Sequence, residues 1–258
     1  MFMSKVIKNS LGYDSNLYVY QDKEMFNYSV DTILLGNFAT VNKKTLRVLD
    51  LGTNNGALSI FFSERYSKMK IDAIDIQDKA IELAKKNIKL NKKEEMIFPQ
   101  LWDFNDFYKH HNKNQMPKYD SVICNPPYYK MDSHLIKQKG QNESILTAMF
   151  EYKITLEDIV KGSSKILNQK GFLALVVPIE RYVDLCVLMR KYSFEVKRVQ
   201  IVSPRVGQKP TFSLVEGRYQ SGWGTHFLPS LYLHPKDKNK HVYTDEVKEL
   251  YKPLLFNK

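Results

Sequence analysis

Cysteine is scarce in this sequence: two residues in 258, Cys124 and Cys186. Two cysteines so far apart cannot form a cysteine-rich metal cluster, and they predict reduced core thiols in a cytosolic protein. No apolar run approaches the roughly 18 residues of a membrane-spanning helix, and the first ten residues lack the apolar core of a signal peptide. The sequence therefore predicts a cytoplasmic protein with no membrane association and no metal.

Acidic residues are outnumbered by basic ones. The chain has 39 Lys and Arg residues against 28 Asp and Glu, for a formal net charge of +11. An excess of positive charge favours a polyanionic partner such as a nucleic acid. Only seven of the basic residues are arginines, and a lysine-rich composition can also reflect genomic base composition. Charge alone therefore leaves the partner open.

Strand patterns alternate with helix patterns from Arg47 onward, which predicts a doubly wound α/β sheet. Hydrophobic residues make up 43% of the chain, so we expect residues 1–258 to form a single domain. We expect residues 1–45 to form a strand and a helix that cover one edge of the site. The predicted strands are 16–21, one beginning at Arg47, 70–76, 96–101, 121–124, 172–177, 194–202 and 211–219. The predicted helices are 30–38, capped by Ser29, 79–90, capped by Asp78, 156–167, capped by Thr155, and 180–192.

A strand, a glycine turn and the start of a helix occupy residues 47–58. Gly52 and Gly56 let the backbone turn tightly and approach a ligand. Their spacing differs from the G-x-G-x-x-G dinucleotide pattern, so no pyrophosphate site is predicted. Asp50 lies at the end of this strand, where it could accept hydrogen bonds from a cationic amino group, directly or through water.

The following strand ends in Asp75, about 25 positions after Asp50. An acidic residue at roughly this offset binds ribose hydroxyls in nucleotide-binding sheets. A ribose site without a pyrophosphate site indicates S-adenosylmethionine as the cofactor. Asp103 follows the third strand, where it could accept a hydrogen bond from an adenine amine, although an exposed loop acid is an equally good interpretation.

The tetrapeptide Asn125-Pro126-Pro127-Tyr128 directly follows an apolar strand. Each proline fixes φ near about −65°, so the Asn125 amide and the Pro126 carbonyl are held in a preset geometry. These two oxygens could accept hydrogen bonds from the exocyclic amine of adenine and draw its nitrogen toward sp³, while Tyr128 offers a face for stacking. Such catalysis depends on positioning and fixed dipoles rather than on a strong base. An ordinary turn after a strand is the alternative.

Basic residues near this tetrapeptide are candidates for phosphate contacts. Residues 129–146 are polar and lysine-bearing, which predicts a mobile substrate loop. The candidates are Lys130 and Lys137 in this loop and Arg205, Lys209 and Arg218 beside the late strands, although solvated lysines are more common than ligands. His110 and His111 lie in a polar stretch and are expected to be solvated.

Together these motifs resemble class I S-adenosylmethionine-dependent methyltransferases with an Asn-Pro-Pro-Tyr motif. Among these, the chain resembles the bacterial enzymes that methylate adenine N6 beside the anticodon of valine tRNA. The resemblance covers most of the chain. It includes residues 29–35, 50–56, 75, 125–128 and 155–158 and the tail from 228 to 247.

The resemblance implies a Rossmann-like fold with a mostly parallel seven-stranded sheet and an antiparallel last strand, and we expect a monomer. It implies methyl transfer from S-adenosylmethionine to N6 of adenine 37 in valine tRNA, with S-adenosylhomocysteine as the second product. The implied cofactor contacts are Asp50, Gly52 and Gly56 to the methionine part, Asp75 to the ribose and Asp103 to the adenine amine, with Asn54, Ile76, Phe104 and Asn125 nearby. The implied base contacts are Asn125, Pro126, Pro127 and Tyr128.

Two other functions share part of this pattern. A methyltransferase of release-factor glutamine could use the same tetrapeptide, since a glutamine amide nitrogen is also conjugated. That type is expected to have a helical domain ahead of the glycine turn, whereas 49 residues precede Asp50 here. A non-catalytic RNA-binding module is the third possibility, against which the intact tetrapeptide and the acid at each expected strand end argue.

Overall fold

The computed structural model describes residues 6–13, 15–23, 25, 27–126 and 153–256. The predicted loop 129–146, together with Pro127, Tyr128 and Lys130, therefore lies outside the described residues.

The N-terminal part of the chain forms a small sheet and one helix. Strands β1 (Val6–Ser10) and β2 (Tyr18–Asp22) pair antiparallel, and helix α1 (Val30–Phe38) follows. Only β2 was predicted, because β1 is mostly exposed and has no alternation of apolar residues. Ser29 is the N-cap residue of α1 as predicted, although its hydroxyl bonds to the Asp31 carboxylate rather than to a backbone N–H.

The central sheet has seven long strands in the order β5-β4-β3-β6-β7-β9-β8. Strand β9 is antiparallel to both of its neighbours, and the other six strands run parallel to one another. The predicted mostly parallel sheet with an antiparallel last strand is therefore confirmed for these seven strands, whereas the whole sheet has nine strands rather than seven. These strands are β3 (Arg47–Leu51), β4 (Lys70–Asp75), β5 (Ile97–Leu101), β6 (Tyr119–Cys124), β7 (Leu167–Pro178), β8 (Phe194–Ser203) and β9 (Phe212–Tyr219).

Two further strands extend the β8 edge of this sheet. Strands β10 (His226–Phe227) and β11 (Leu231–Tyr232) each pair parallel with β8. The sequence did not predict them, because two residues are too few to show a periodic pattern.

Helices cover both faces of the sheet. They are α1, α2 (Ala57–Ser63), α3 (Asp78–Leu90), α4 (Phe104–Lys113), α5 (Leu156–Ile166), α6 (Tyr182–Lys191, after a 3₁₀ turn at Ile179–Arg181) and α7 (Asp245–Glu249). One hydrophobic core packs α1, α2 and α3 against one face, and the second packs α4, α5 and α6 against the other. None of these helices is long and apolar enough to cross a membrane.

The structure tests three local predictions: two helix caps and the exposure of a histidine. Thr155 caps α5 with a reciprocal capping box to Asp158, as predicted. The predicted cap of α3 is wrong: the N-cap residue is Gln77, and Asp78 is the first helical residue. The prediction for His111 is also wrong, because α4 buries it completely, and its Nε2 lies 3.1 Å from the Pro117 carbonyl oxygen.

Candidate active site

An open cleft lies at the carboxyl ends of β3, β4, β5 and β6. This is where ligands bind in open parallel sheets. The lining includes eight of the predicted site residues: Gly52, Asn54, Asp75, Ile76, Asp103, Phe104, Asn125 and Pro126. The fold therefore brings the glycine turn, the three strand ends and the start of the tetrapeptide into one space.

Asp75 is held at the cleft by the backbone on both sides of it. Its Oδ2 accepts from the Asn54 N–H and its Oδ1 from the Gln77 N–H, each at 2.9 Å. Burial raises the pKa of this carboxyl group, and these backbone bonds oppose the rise. Because each carboxylate oxygen has two lone pairs, the group can still accept hydrogen bonds from a diol.

Asp50 lies beneath the glycine turn and is 1% exposed. Its Oδ2 accepts from the Thr53 hydroxyl at 2.7 Å and the Ser59 hydroxyl at 2.6 Å. Burial raises its pKa to about 6, and the nearby charge of Asp75 adds to the rise. Asp50 does not line the cleft, so its predicted direct contact with an amino group is not supported. Instead it fixes the turn and contributes negative charge below the site.

The two glycines of the turn have different roles. Gly52 has a φ of +73°, lines the cleft, and would place an added Cβ more than 4 Å from any neighbouring atom. Gly56 has a φ of +81°, is the N-cap of α2, and would place a Cβ 3.4 Å from the Cβ of Ala84 in α3. Gly52 therefore opens the backbone toward a ligand, whereas Gly56, predicted as a cofactor contact, does not line the cleft and supplies the left-handed N-cap conformation at the start of α2.

The far end of the cleft combines aromatic walls with one more carboxylate. Asp103 is the N-cap of α4 and its Oδ1 accepts from the Asn105 N–H at 2.8 Å. Trp102 and Phe104 flank it in the lining, and the exposed Ile76 follows the end of β4. This end can hold a flat heterocycle between apolar side chains, with Asp103 as an acceptor for its amine.

Asn125 meets the N-terminal helix across the cleft. Its Nδ2 donates to the Thr32 Oγ1 of α1 at 3.2 Å. Pro126 is buried beside it and also lines the cleft. This contact joins the end of β6 to a helix that is far away in sequence.

Several lining residues were missed by sequence reasoning. Tyr28 lines the cleft while its hydroxyl donates to the Ser10 carbonyl at 2.7 Å, and Thr32 lies one helical turn further on. Both precede the glycine turn and reach the cleft only because α1 packs beside β7, so no local pattern could reveal them. The other missed residues are Leu51, Thr53, Asn55, Ala57, Leu58, Ile74, Gln77, Trp102, Lys153 and Ile154.

Three predicted phosphate contacts lie among the described residues, and their surroundings differ. Arg218 donates from its Nε to the Lys170 carbonyl at 3.0 Å. Arg205 is 8% exposed, and its guanidinium donates to backbone carbonyls of the C-terminal tail at Pro235, Asp237 and Lys240. These guanidinium donors hold residues 235–240 in place, so the structure does not support the predicted contact between Arg205 and RNA phosphate. Lys209 is exposed and pairs with the equally exposed Glu180 at 2.9 Å, an arrangement that a phosphate could replace at small cost.

The cleft fits the methyl donor that the sequence predicts. Asp75 offers acceptors for ribose hydroxyls, Gly52 leaves room against the backbone, and Trp102 and Phe104 offer apolar walls. The carboxyl groups of Asp50 and Asp75 are both buried beside the glycine turn, where their ionised forms would favour a cationic ligand. In the described part of the chain, no group of three or more His, Cys, Asp or Glu side chains is arranged to hold a metal ion.

Curated relatives share one enzyme name. A protein of Parabacteroides distasonis is 29% identical over 77% of this chain and 79% of its own length, and one of Christiangramia forsetii is 24% identical over 89% and 91%. Both are named tRNA1(Val) (adenine(37)-N6)-methyltransferase. Among solved structures, a predicted O-methyltransferase from Agrobacterium tumefaciens superposes with a TM-score of 0.65 at 20% identity, covering 88% of this chain and 99% of that one. That structure supports the fold.

The family model and the names of these relatives agree on the class of reaction. They confirm the prediction of a methyltransferase that uses S-adenosylmethionine as its methyl donor. The model of the methyltransferase small domain matches residues 29–199, from the start of α1 into β8. Because this match spans well over half of the 258 residues, the chain belongs to the methyltransferase small domain family.

Proposed function

We propose that this protein methylates N6 of adenine 37 in a tRNA, with valine tRNA as its substrate. The observation that carries the proposal is the position of Asn125 and Pro126, which lie in the same cleft as the predicted ribose acceptor Asp75. The relatives named above support the choice of RNA and base. A tRNA substrate also fits the net charge of +11 and the cytoplasmic location that the cysteine content predicts.

Cofactor binding in this proposal uses the strand ends. Asp75 accepts from the ribose hydroxyls, Asp103 accepts from the adenine amine between Trp102 and Phe104, and Gly52 lets the backbone approach the methionine part. When bound, S-adenosylmethionine supplies an electrophilic methyl group on a sulfonium centre. The negative charges of Asp50 and Asp75 favour this cation over its neutral product, S-adenosylhomocysteine.

The acceptor side positions the target base. The Asn125 Oδ1 and the Pro126 carbonyl accept from the two N–H groups of the exocyclic amine. Those bonds localise the nitrogen lone pair, which is otherwise conjugated with the ring, and aim it at the methyl group. No strong base is needed, because the gain comes from orientation and from fixed dipoles.

Several contacts to RNA belong to the same proposal. Tyr128 stacks on the flipped adenine, and Lys130 and Lys209 meet phosphates, with residues 129–146 acting as a substrate loop. Residues 1–45 cover the acceptor side through α1. Removing the Tyr128 ring should cost about 1–3 kcal/mol of RNA binding, the range for stacking on one base. RNA affinity should also fall steeply with salt.

The test is a methyl-transfer assay with mass analysis of the products. The purified protein is incubated with labelled S-adenosylmethionine and, separately, with unmodified total tRNA and with cell-extract protein. N6-methyladenosine in tRNA supports the proposal, whereas N5-methylglutamine in protein with no labelled RNA would show a release-factor type of substrate. Absence of label in both would favour a non-catalytic module.

A second comparison tests the site within the tRNA. A valine tRNA transcript is compared with the same transcript carrying guanine at position 37. Methylation of the first and not the second is expected. Equal labelling of both would contradict the assignment to position 37.

A further inference from the structure

We propose that Thr32 is a positioning residue that anchors the Asn125 amide, so that its oxygen stays turned toward the substrate amine. This inference rests on the proposed function, since it concerns the same base-binding side of the cleft. Thr32 itself contributes no atom to the reacting groups.

The contact between the two side chains carries the argument. The Asn125 Nδ2 donates to the Thr32 Oγ1 at 3.2 Å, and both residues line the cleft. An amide held at its nitrogen end cannot rotate freely about its terminal torsion, which is otherwise broad. With the nitrogen turned to α1, the carbonyl end of the amide is the part directed away from the helix. An acceptor directed this way is what an N–H donor of the base requires.

Burial and backbone hydrogen bonds hold Thr32 in a fixed position. Thr32 is 6% exposed, and its backbone N–H bonds to the Ser29 carbonyl and to Asp31 Oδ1. The next three residues of α1, from Ile33 to Leu35, are buried in the core. The hydroxyl of Thr32 therefore has a fixed position relative to the sheet. Its hydrogen bond in turn fixes the orientation of the Asn125 amide at the end of β6.

Packing alone does not account for this side chain. A position that only packs α1 against the sheet could hold an apolar residue, as Ile33, Leu34 and Leu35 do. Burying a hydroxyl costs free energy unless it is hydrogen-bonded, and here the bond is made to the residue at the centre of the proposed chemistry. Valine has nearly the same shape as threonine without the hydroxyl, so it separates the two explanations.

The experiment compares Thr32→Val with Thr32→Ser in the full-length protein. The valine variant should lower kcat for tRNA methylation about tenfold while the KM for S-adenosylmethionine and the melting temperature stay at wild-type values. The serine variant keeps a hydroxyl and should retain most of the rate. Wild-type kcat in Thr32→Val, or equal losses in both variants, would overturn the positioning role.

A matched control uses the same substitution elsewhere in the cleft. Thr53 also lines the cleft, but its hydroxyl donates to Asp50 in the glycine turn. Thr53→Val should therefore raise the KM for the cofactor more than it lowers kcat. A loss of kcat as large as that of Thr32→Val, with an unchanged cofactor KM, would contradict a specific effect through Asn125.

A double-mutant cycle separates this inference from the proposed function. If Thr32 acts through Asn125, adding Thr32→Val to Asn125→Ala should cause no further loss in single-turnover rate. Full activity of Asn125→Ala alone would remove the proposed mechanism itself. A tenfold further loss in the double variant would leave that mechanism intact and remove only the anchoring role.

Discussion

The cofactor half and the acceptor half of the cleft are built from contacts of very different range. On the cofactor side, Asp50 bonds to residues three and nine positions away, and Asp75 to residues two and 21 positions away. On the acceptor side, Asn125 and Thr32 are 93 positions apart. Local segments therefore shape the first half almost by themselves, whereas the second depends on the assembled fold.

Residues 250–254, at the end of the C-terminal tail, add further long-range contacts to the acceptor half. The Asn37 amide in α1 donates to the carbonyls of Leu250 and Lys252 and accepts from the Leu254 N–H. Arg65 donates from its Nε to the Leu254 carbonyl at 3.0 Å and from its Nη1 to carbonyls at the end of α1. The helix that carries Thr32 is thus fastened by residues more than 180 positions further along the chain.

The largest expected effect comes from Asn125→Ala, which removes one of the two proposed acceptors and leaves the cofactor half intact. Loss of one pre-oriented polar group from a transition state typically costs about 10²–10³ in kcat. We expect a loss of this size in tRNA methylation. The affinity for S-adenosylmethionine should stay within about twofold of wild type, measured by calorimetry. A large loss of cofactor affinity would show that the two halves are not separable.

Asp75→Ala alters the cofactor half of the cleft and leaves the acceptor half unchanged. It removes the proposed ribose acceptor together with the bonds to the backbone of Asn54 and Gln77. Hydrogen bonds to a charged group are worth about 1.5–3 kcal/mol, so the cofactor Kd should rise about 10- to 100-fold. Asp78→Ala is the control, because Asp78 is exposed at the start of α3 and does not line the cleft. An unchanged Kd in Asp75→Ala would remove the ribose assignment.

The range of contacts also explains what the sequence could predict. Asp75 and Gly52 were found because strand, turn and helix follow one another and fix those residues at the cleft. The sequence predicted that residues 1–45 cover one edge of the site, but Thr32 and Tyr28 were missed because no local pattern shows which side chains of that segment reach the cleft. Arg205 was misassigned for the same reason: its exposure depends on a tail that folds over it from about 30 positions away.

Asn37→Ala should weaken the acceptor half from a distance. It leaves tail carbonyls and the Leu254 N–H without their partner, which should lower the free energy of unfolding by about 1–2 kcal/mol. Because the tail fastens α1, kcat should also fall by more than the cofactor affinity does. The control is Asn114→Ala, whose amide bonds to His110 within its own helix end. Equal thermal stability of the two variants would show that the tail does not hold α1.

The smallest expected effect is on pH dependence, and it belongs to the cofactor half. Burial raises the pKa of Asp50 to about 6, so the carboxyl group is ionised at pH 7 and mostly protonated at pH 5. Loss of this negative charge should weaken binding of the cationic cofactor a few-fold as pH falls through about 6. The bonds from Thr53 and Ser59 need only an acceptor oxygen, which the side-chain amide in Asp50→Asn would still supply. That variant should therefore bind the cofactor more weakly than wild type at pH 7, and its affinity should fall less than that of wild type between pH 7 and pH 5. The fall that remains would come from Asp75, whose pKa burial also raises.

The stability of the unliganded protein should change in the opposite direction. A carboxyl group with a raised pKa binds its proton more tightly in the folded state than in the unfolded state. Its contribution to stability therefore grows as pH falls from about 6 toward 4. The wild-type melting temperature relative to that of Asp50→Asn should thus rise between pH 7 and pH 5, while the relative cofactor affinity falls. If both quantities moved in the same direction, the charge of Asp50 would not be the link between the buried turn and the bound cation.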